Sequence, residues 1–409
     1  MRKQPTNCAT SPSINTPART LSALAIAVGM AMPVQASGIF LQEAVVANAG
    51  TVGAGDGVYT GSAAAMWTNP ATMSFMGESL TTINVALFDL EMKFKHTGPG
   101  SDASDAGNGK ASTLSPTLGF FHARQINDQT HVGISVGVAG GSALDYGTNW
   151  AGTALLNDID LAVAQINPTV SYQYNDQWSF GAGVQMSWAS LEQTMGAGTI
   201  RVEESSDWAF GFTLGTMYRY SEDLDLSLSY RSKVEHSFDA DVSGAVQGGV
   251  AADIDVPAIV DASMRYGINA DLNLLASVQF HRWSEWDHTV FNFNNGGSLP
   301  IQRDWDDVWH FAVGTDYRLN DDWRLKAGLS YETSPQDDPQ MQWVDLPVGD
   351  QWRYSVGAST VWNGYTFDMF YEYADLGSVK SEARVDPAFI GVNGQFDGRI
   401  HFIGLNVSF

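Results

Sequence analysis

Six short polar turns recur through the chain at nearly constant spacing. They are Asn127-Asp128-Gln129, Asn175-Asp176-Gln177, Ser221-Glu222-Asp223, Asn269-Ala270-Asp271, Asn320-Asp321-Asp322 and Asn363-Gly364, and successive turns begin 48, 46, 48, 51 and 43 residues apart. Runs of alternating apolar and polar residues flank each turn. Longer segments rich in Gly, Asp and Ser join one pair of runs to the next. Short turns at one end and long loops at the other are the pattern of a transmembrane β-barrel.

Fourteen strands are read near 80–95, 113–126, 130–144, 163–174, 178–195, 207–220, 223–238, 256–268, 271–285, 306–319, 322–333, 350–362, 365–377 and 397–409. The number is even, as in single-chain bacterial barrels. The last strand alternates through Ile403, Leu405, Val407 and a terminal Phe409, which places these side chains toward lipid. The same parity turns Tyr354, Val356, Ala358 and Trp362 outward, and Arg353, Ser355, Gly357 and Ser359 inward. Arg219, Arg231, Arg265, Arg324, Lys326 and Arg353 all fall on inward positions. A cation on the lipid face at mid-bilayer costs about 2–4 kcal/mol, so inward placement is expected. His281 and Trp283 also share an inward parity and are candidate ligand contacts.

Composition agrees. Hydrophobic residues make up 44%, yet no stretch after residue 40 is long enough for a spanning helix. The 13 Trp and 14 Tyr suit aromatic girdles at two membrane interfaces. Residues 1–36 read as a secretory signal, with basic Arg2, Lys3 and Arg19, an apolar run from Leu21 to Met32, and Pro33-Val34-Gln35-Ala36 before Ser37. Cys8 lies in that segment, which leaves the mature chain without thiol or disulfide. Removing the signal leaves 18 basic and 45 acidic residues, a net charge of −27, which argues against nucleic acid as a partner. The acids gather in turns and loops, such as Ser101-Asp102-Ala103-Ser104-Asp105. They are read as a solvated surface, or as divalent-cation bridges to lipopolysaccharide.

Residues 37–79 do not read as strands. Asn48-Ala49-Gly50-Thr51-Val52-Gly53-Ala54-Gly55-Asp56-Gly57 is nearly all small residues, and Asn69-Pro70-Ala71 marks a turn. The stretch is either a floppy linker or a compact plug in which backbone packs closely inside a lumen.

The mature start Ser37-Gly38-Ile39-Phe40-Leu41-Gln42-Glu43, the small-residue stretch and Asn69-Pro70-Ala71 resemble the hatch of the FadL family of outer-membrane transporters. Weaker matches are Trp178-Ser179-Phe180-Gly181-Ala182-Gly183, Tyr230-Arg231-Ser232-Lys233-Val234, and Thr333-Ser334-Pro335 followed by Asp350. The resemblance implies an all-β fold: a fourteen-stranded antiparallel barrel over 80–409 plugged by a hatch over 37–79. It further implies passive uptake of long-chain fatty acids, or of aromatic or aliphatic hydrocarbons. Ligand is expected to land on an apolar groove, enter a lumenal pocket, and leave in part sideways at a kinked strand. Asn69, Pro70 and Ala71 carry over as the hatch motif. Phe40, Leu41, Arg231, His281, Trp283 and Arg353 are the candidate ligand contacts. The loop after residue 195 is shorter than in the fatty-acid transporters, and Trp150–Leu161 reads as an amphipathic helix that could replace it.

The expected setting is the outer membrane of a Gram-negative bacterium, as a monomer among lipid and lipopolysaccharide. No cofactor or metal is expected, since the eight histidines show no zinc spacing, and no enzymatic role is expected, since no Gly-x-Ser-x-Gly elbow is present. The rival readings are a general diffusion porin, which has no reason for a plug, and an outer-membrane lipase with a dispersed Ser/His site.

Overall fold

The computed structural model describes residues 45–98, 107–286, 288–293, 296–347, 349–383, 385–386, 389–390 and 392–409. The segment read as a signal, Phe40 and Leu41 with the stretch read as the mature start, and the acidic run 101–105 lie outside them.

The chain forms β1 (Ser79–His96), β2 (Gly109–Asn127), β3 (Thr130–Asp145), β4 (Asp158–Gln173), β5 (Trp178–Met195), β6 (Ile200–Arg219), β7 (Leu224–Arg231), β8 (Val234–Gly244), β9 (Gly248–Val256) and β10 (Ile259–Gly267). It continues through β11 (Leu272–His281), β12 (His288–Phe293), β13 (Ser298–Gln302), β14 (Val308–Arg318), β15 (Trp323–Glu332), β16 (Gln351–Trp362), β17 (Tyr365–Ser381), a small hairpin of β18 (Val385–Asp386) and β19 (Phe389–Ile390), and β20 (Gly394–Ser408). Neighbouring strands pair antiparallel, and β1 closes the barrel by pairing with both β2 and β20, Thr82 standing opposite Ser408. Four wall strands consist of two segments each (β7–β8, β9–β10, β11–β12 and β13–β14), which gives fourteen in all. All six polar turns lie between consecutive strands at one end. At the tightest, Asn363 and Gly364 both hold positive φ (52° and 82°), the backbone of a two-residue hairpin that Asn-Gly favours.

Several boundaries differ from the sequence reading: β6 begins at Ile200 rather than near 207 and β17 runs on to Ser381, and three differences bear on the wall. The strand read over 223–238 breaks after Arg231, and residues read as loop beyond it form the β8–β9 hairpin. Its Gly and Asp content hid an alternation that buries Val250, Ala252, Ile254 and Val256. The strand read over 271–285 ends at His281 and passes into a 3-10 turn at Trp283–Glu285. Finally, Trp150–Leu161 is not a helix. Residues 151–155 are turns and β4 begins at Asp158. Gly152, Thr153 and Asn157 are weak helix formers, while Ile159 and Leu161 bury on the strand period. Trp150 caps the barrel instead, with its indole N–H donating to the Leu156 carbonyl at 2.9 Å.

The outer surface is apolar where a bilayer would touch it: Leu228, Phe210, Val356 and Ile403 are all exposed. Inward positions are polar, as parity requires. Lys326 donates to Asp368 at 2.7 Å, with both side chains buried. Removing one member of such a pair leaves an uncompensated charge and costs about 3–5 kcal/mol, whereas replacing both is far milder. Asp368→Asn should therefore lower the denaturant midpoint of the folded barrel clearly. Lys326→Met/Asp368→Asn should restore most of it, which band-shift unfolding on gels would read.

Residues 45–78 lie inside the wall. Ala47, Ala49, Ala54, Ala63, Ala64, Ala65 and Ala71 are buried, and polar pegs hold the segment from several sides. The Val46 carbonyl accepts from Asn84 (3.1 Å) and Asn406 (3.0 Å). The Ala63 N–H donates to Thr82 (2.9 Å) and the Gly55 N–H to Ser277 (2.9 Å). Ser179 donates to the Ala71 carbonyl (2.9 Å). On the opposite wall Gly357 lets the hatch backbone approach, since a Cβ there would sit 2.6 Å from the Ala49 carbonyl oxygen.

Candidate functional site in the barrel lumen

Asn69 ties the N-terminal segment together and to the wall. Its side-chain oxygen accepts from the Ala71 N–H (3.0 Å), capping the 3-10 helix Pro70–Phe75 with Pro70 at its first position. Its amide donates to the Gly57 carbonyl (2.8 Å) and to the Thr216 carbonyl on β6 (3.1 Å). A side chain at Gly215 would collide with Asn69. One residue thus caps a helix, ties two parts of the hatch and docks both on the wall.

Beside the hatch the wall is open. The β2–β3 ladder runs only from Phe120↔Val136 to Asn127↔Thr130. Above it, β2 stays paired with β1 and β3 with β4, but the two facing edges share no ladder. The sequence explains this locally. Pro116 on β2 has no N–H to donate, and proline is tolerated on a strand edge. On β3, Gly137-Val138-Ala139-Gly140-Gly141 carries an irregularity against β4 between Val138 and Gly140, and residues 137–142 are all buried, so the strand turns inward. Thr113 donates across the gap to the Ala143 carbonyl at 3.3 Å. Behind it stands the hatch: a Cβ on Gly137 would lie 3.1 Å from Val45 and 3.6 Å from Trp67.

The lumen has two unlike sides. On β1, Ala86, Phe88, Leu90, Met92 and Phe94 point inward, and Phe396 and Phe402 on β20 continue the same surface. Phe94 lies 4.7 Å from Phe396 and 5.4 Å from Trp150, which stacks on Tyr146 at 4.3 Å. Phe88 meets Phe402 at 5.8 Å, and Phe121 meets Trp67 of the hatch at 6.4 Å. These closely packed, buried rings make a continuous apolar track of side chains, with no open channel among them, from the loop end of the barrel down to Trp67, alongside the gap. Sequence reading missed it, although the signal was present. In Phe88-Asp89-Leu90-Glu91-Met92-Lys93-Phe94 the charged residues take outward parity, so the apolar ones must line the lumen.

The opposite side is polar, and it divides the candidate residues. Arg231 sits where the track ends. It donates to the Trp67 carbonyl (2.7 Å), Gln165 (2.7 Å) and Gln185 (2.8 Å), with its guanidinium 4.9 Å from the Trp67 ring. Among the described residues, no carboxylate lies within ion-pair distance of it. Arg353 is placed differently, 3.6 Å from Glu332 and donating to Gln351 at 2.8 Å. Glu332 also accepts from His310 (3.1 Å), and His281, bonded to Gln279 at 2.9 Å, belongs to the same cluster. Trp283 lies apart, packed with Trp305 at 5.2 Å and Trp286 at 6.3 Å. Arg231 and Trp67 line a small lumenal cavity of about 50 Å³ with Val45, Asp56, Asp261 and Glu372.

Asp56 is the buried acid of the hatch. Burial pushes its carboxyl up from 3.8 to about 7, against the pull of the Asn48 (3.2 Å) and Ala47 (3.4 Å) N–H groups that donate to it. Asp261 and Lys326 are the charges acting on it from the wall. The seated hatch therefore holds this proton more tightly than a released hatch does. Its seating is firmest below the ordinary value of 3.8 and weakens as pH rises toward about 7. Hatch-dependent conductance should rise over that window and level off above it. Asp56→Asn should flatten the profile, which planar-bilayer recordings at stepped pH would check.

A closed fourteen-stranded antiparallel barrel with a lumenal plug and an unpaired gap in its wall is an outer-membrane transport barrel. Residues 27–409 match the family described as outer membrane protein transport protein (OMPP1/FadL/TodX), and the chain belongs to it. It is 23% identical over 407 residues to the long-chain fatty acid transport protein of Salmonella typhi, covering 88% of this chain and 93% of that one. It is 20% identical over 409 residues to outer membrane protein P1 of Haemophilus influenzae, covering 86% and 88%. Among solved structures, a Pseudomonas aeruginosa FadL homologue superposes with a TM-score of 0.79 at 20% identity, over 90% of this chain and 99% of that one. The Pseudomonas putida toluene transporter TodX does so with a TM-score of 0.67 at 16% identity, over 86% and 94%.

Proposed function

We propose that this protein carries hydrophobic molecules with a single acidic head group, long-chain fatty acids foremost, passively across the outer membrane. The observation that carries the reading is the apolar track, which runs beside the β2–β3 gap and ends at Arg231. The long loops face outside and the short turns face the periplasm. Ligand leaves water for the track, and transfer of apolar surface at about 25 cal/mol per Å² drives that step. The hatch blocks water and ions beneath. Shifts of the hatch at Val45 and Trp67 let ligand pass sideways through the gap or onward below.

Arg231 supports an acid over a neutral hydrocarbon. A buried guanidinium held only by neutral acceptors gains from a carboxylate. Arg353, already beside Glu332, is assigned to the wall. Similarity to both fatty-acid and toluene transporters fits a shared track with different head-group chemistry. A general porin fits poorly with a plugged lumen.

The test is Arg231→Met. A lost charge-assisted hydrogen bond is worth about 1.5–3 kcal/mol, so uptake of a long-chain fatty acid by whole cells at limiting concentration should fall roughly ten- to a hundredfold. Uptake of a neutral hydrocarbon of similar length should change little. Equal loss for both would reject the head-group role.

A further inference from the structure

A second break in the wall lies between β6 and the β7–β8 strand. The β6–β7 ladder ends at Thr213↔Arg231, and β6 meets β8 again only at Ile200–Val202, opposite Val242–Gly244. Residues 203–212 thus face residues 232–241, stretches of equal length, with no ladder between them beyond the Ser232 N–H donating to the Phe212 carbonyl (2.9 Å) at one end. The cause is a mismatch of pleat. Against β5, Leu191 opposes Ser205 while Gln193 opposes Val202, so β6 holds an extra residue there and its inward positions change from even to odd. Ser229 and Arg231 are buried on β7, but Val234, His236 and Phe238 are buried on β8, so that strand changes phase at Ser232-Lys233. Directly opposed residues of a ladder share a face, and across this stretch they cannot.

Side chains close the rest of the seam. Asp207 accepts from the Ser237 N–H (3.2 Å) and bonds His236 (3.3 Å), whose other ring nitrogen meets Ser187 at 2.9 Å. Ser205 donates to the Asp239 carbonyl (2.8 Å). The Gln185 amide donates to the Phe212 carbonyl on β6 (2.9 Å) and, beyond it, to the Ser232 carbonyl (3.3 Å). Gln185 also accepts from Arg231, so the seam is tied through that residue to the Trp67 carbonyl of the hatch. On the outer side Trp208, Phe210 and Phe212 are exposed beside it.

Open backbone edges at membrane depth are tolerated only where they are covered by protein or line a cavity. We propose that this seam is a second lateral passage for apolar and single-head-group lipidic molecules, closed by a latch of Gln185, Ser187, Asp207 and His236 and opening inward at Arg231. The inference rests on the transport reading above. Ser187, His236 and Asp207 also have the connectivity of a hydrolytic triad. Ser187 and His236 are fully buried, however, and the Gln165 amide lies 3.5 Å from the Ser187 hydroxyl, so a substrate carbonyl has no approach.

The mature chain has no cysteine, which makes cross-linking clean. One lock is Thr113→Cys/Ala143→Cys across the β2–β3 gap. The other is Asp207→Cys/His236→Cys across the seam, two inward side chains that meet at 3.3 Å. Each is compared oxidised and reduced in the same folded protein, with uptake of a long-chain fatty acid as the readout. The first lock should leave residual uptake, and adding the second should cut that residue several-fold, reversibly with reductant. Loss from the first lock with no effect of the second, in either background, would overturn the second passage and spare the transport reading. No effect of either lock would overturn both lateral routes. Labelling of Ser187 by a fluorophosphonate would overturn the latch in favour of a hydrolytic site.

Discussion

Deleting residues 38–70 should raise single-channel conductance severalfold in planar bilayers, while the barrel still folds. The wall closes through strand ladders that include no hatch residue, from β1–β2 round to β17–β20. What the hatch fills is a space lined by small and polar inward groups such as Ser263, Ser277 and Thr82. Without it those groups hydrate rather than lose partners, because the lumen becomes wet. The attachments that disappear are mostly single hydrogen bonds, each worth about 0.5–1.5 kcal/mol net. The deletion should therefore change permeability more than stability. An unchanged conductance would mean that residues 45–78 do not occlude the lumen, and would remove the gating part of the account.

The architecture was largely legible from the turns and the alternation. Parity alone sent Lys326, Arg231 and Arg353 inward and Tyr354 and Val356 outward, because a strand has one side-chain period and a charge facing lipid at mid-bilayer is costly. The breaks in the wall were not legible. The inward turn of β3 depends on Gly137–Gly141 lacking ladder partners on one side, and the β6–β8 seam depends on two phase changes that cancel. Neither leaves a mark on single-strand alternation. Parity also could not separate Arg231 from Arg353. Both are inward, and only the packing shows Glu332 beside one and neutral amides around the other. Asn69-Pro70-Ala71 was recognised as a motif, but its docking on Thr216 and beside Gly215 is a long-range contact with no sequence signal.

The central claim is that hydrophobic ligand reaches and leaves the lumen through the membrane-facing wall rather than along the pore axis. Closing the β2–β3 gap should therefore remove most of the uptake. The Thr113 hydroxyl meets the Ala143 main-chain carbonyl across it at 3.3 Å, and neither residue is needed for a ladder between β2 and β3. The most direct measurement is the uptake rate of a long-chain fatty acid by cells carrying Thr113→Cys/Ala143→Cys, oxidised and then reduced, with ion conductance recorded on the same protein. The account predicts that oxidation removes most of the uptake, that reductant restores it, and that conductance stays low and constant throughout. Full uptake through the cross-linked wall would contradict it.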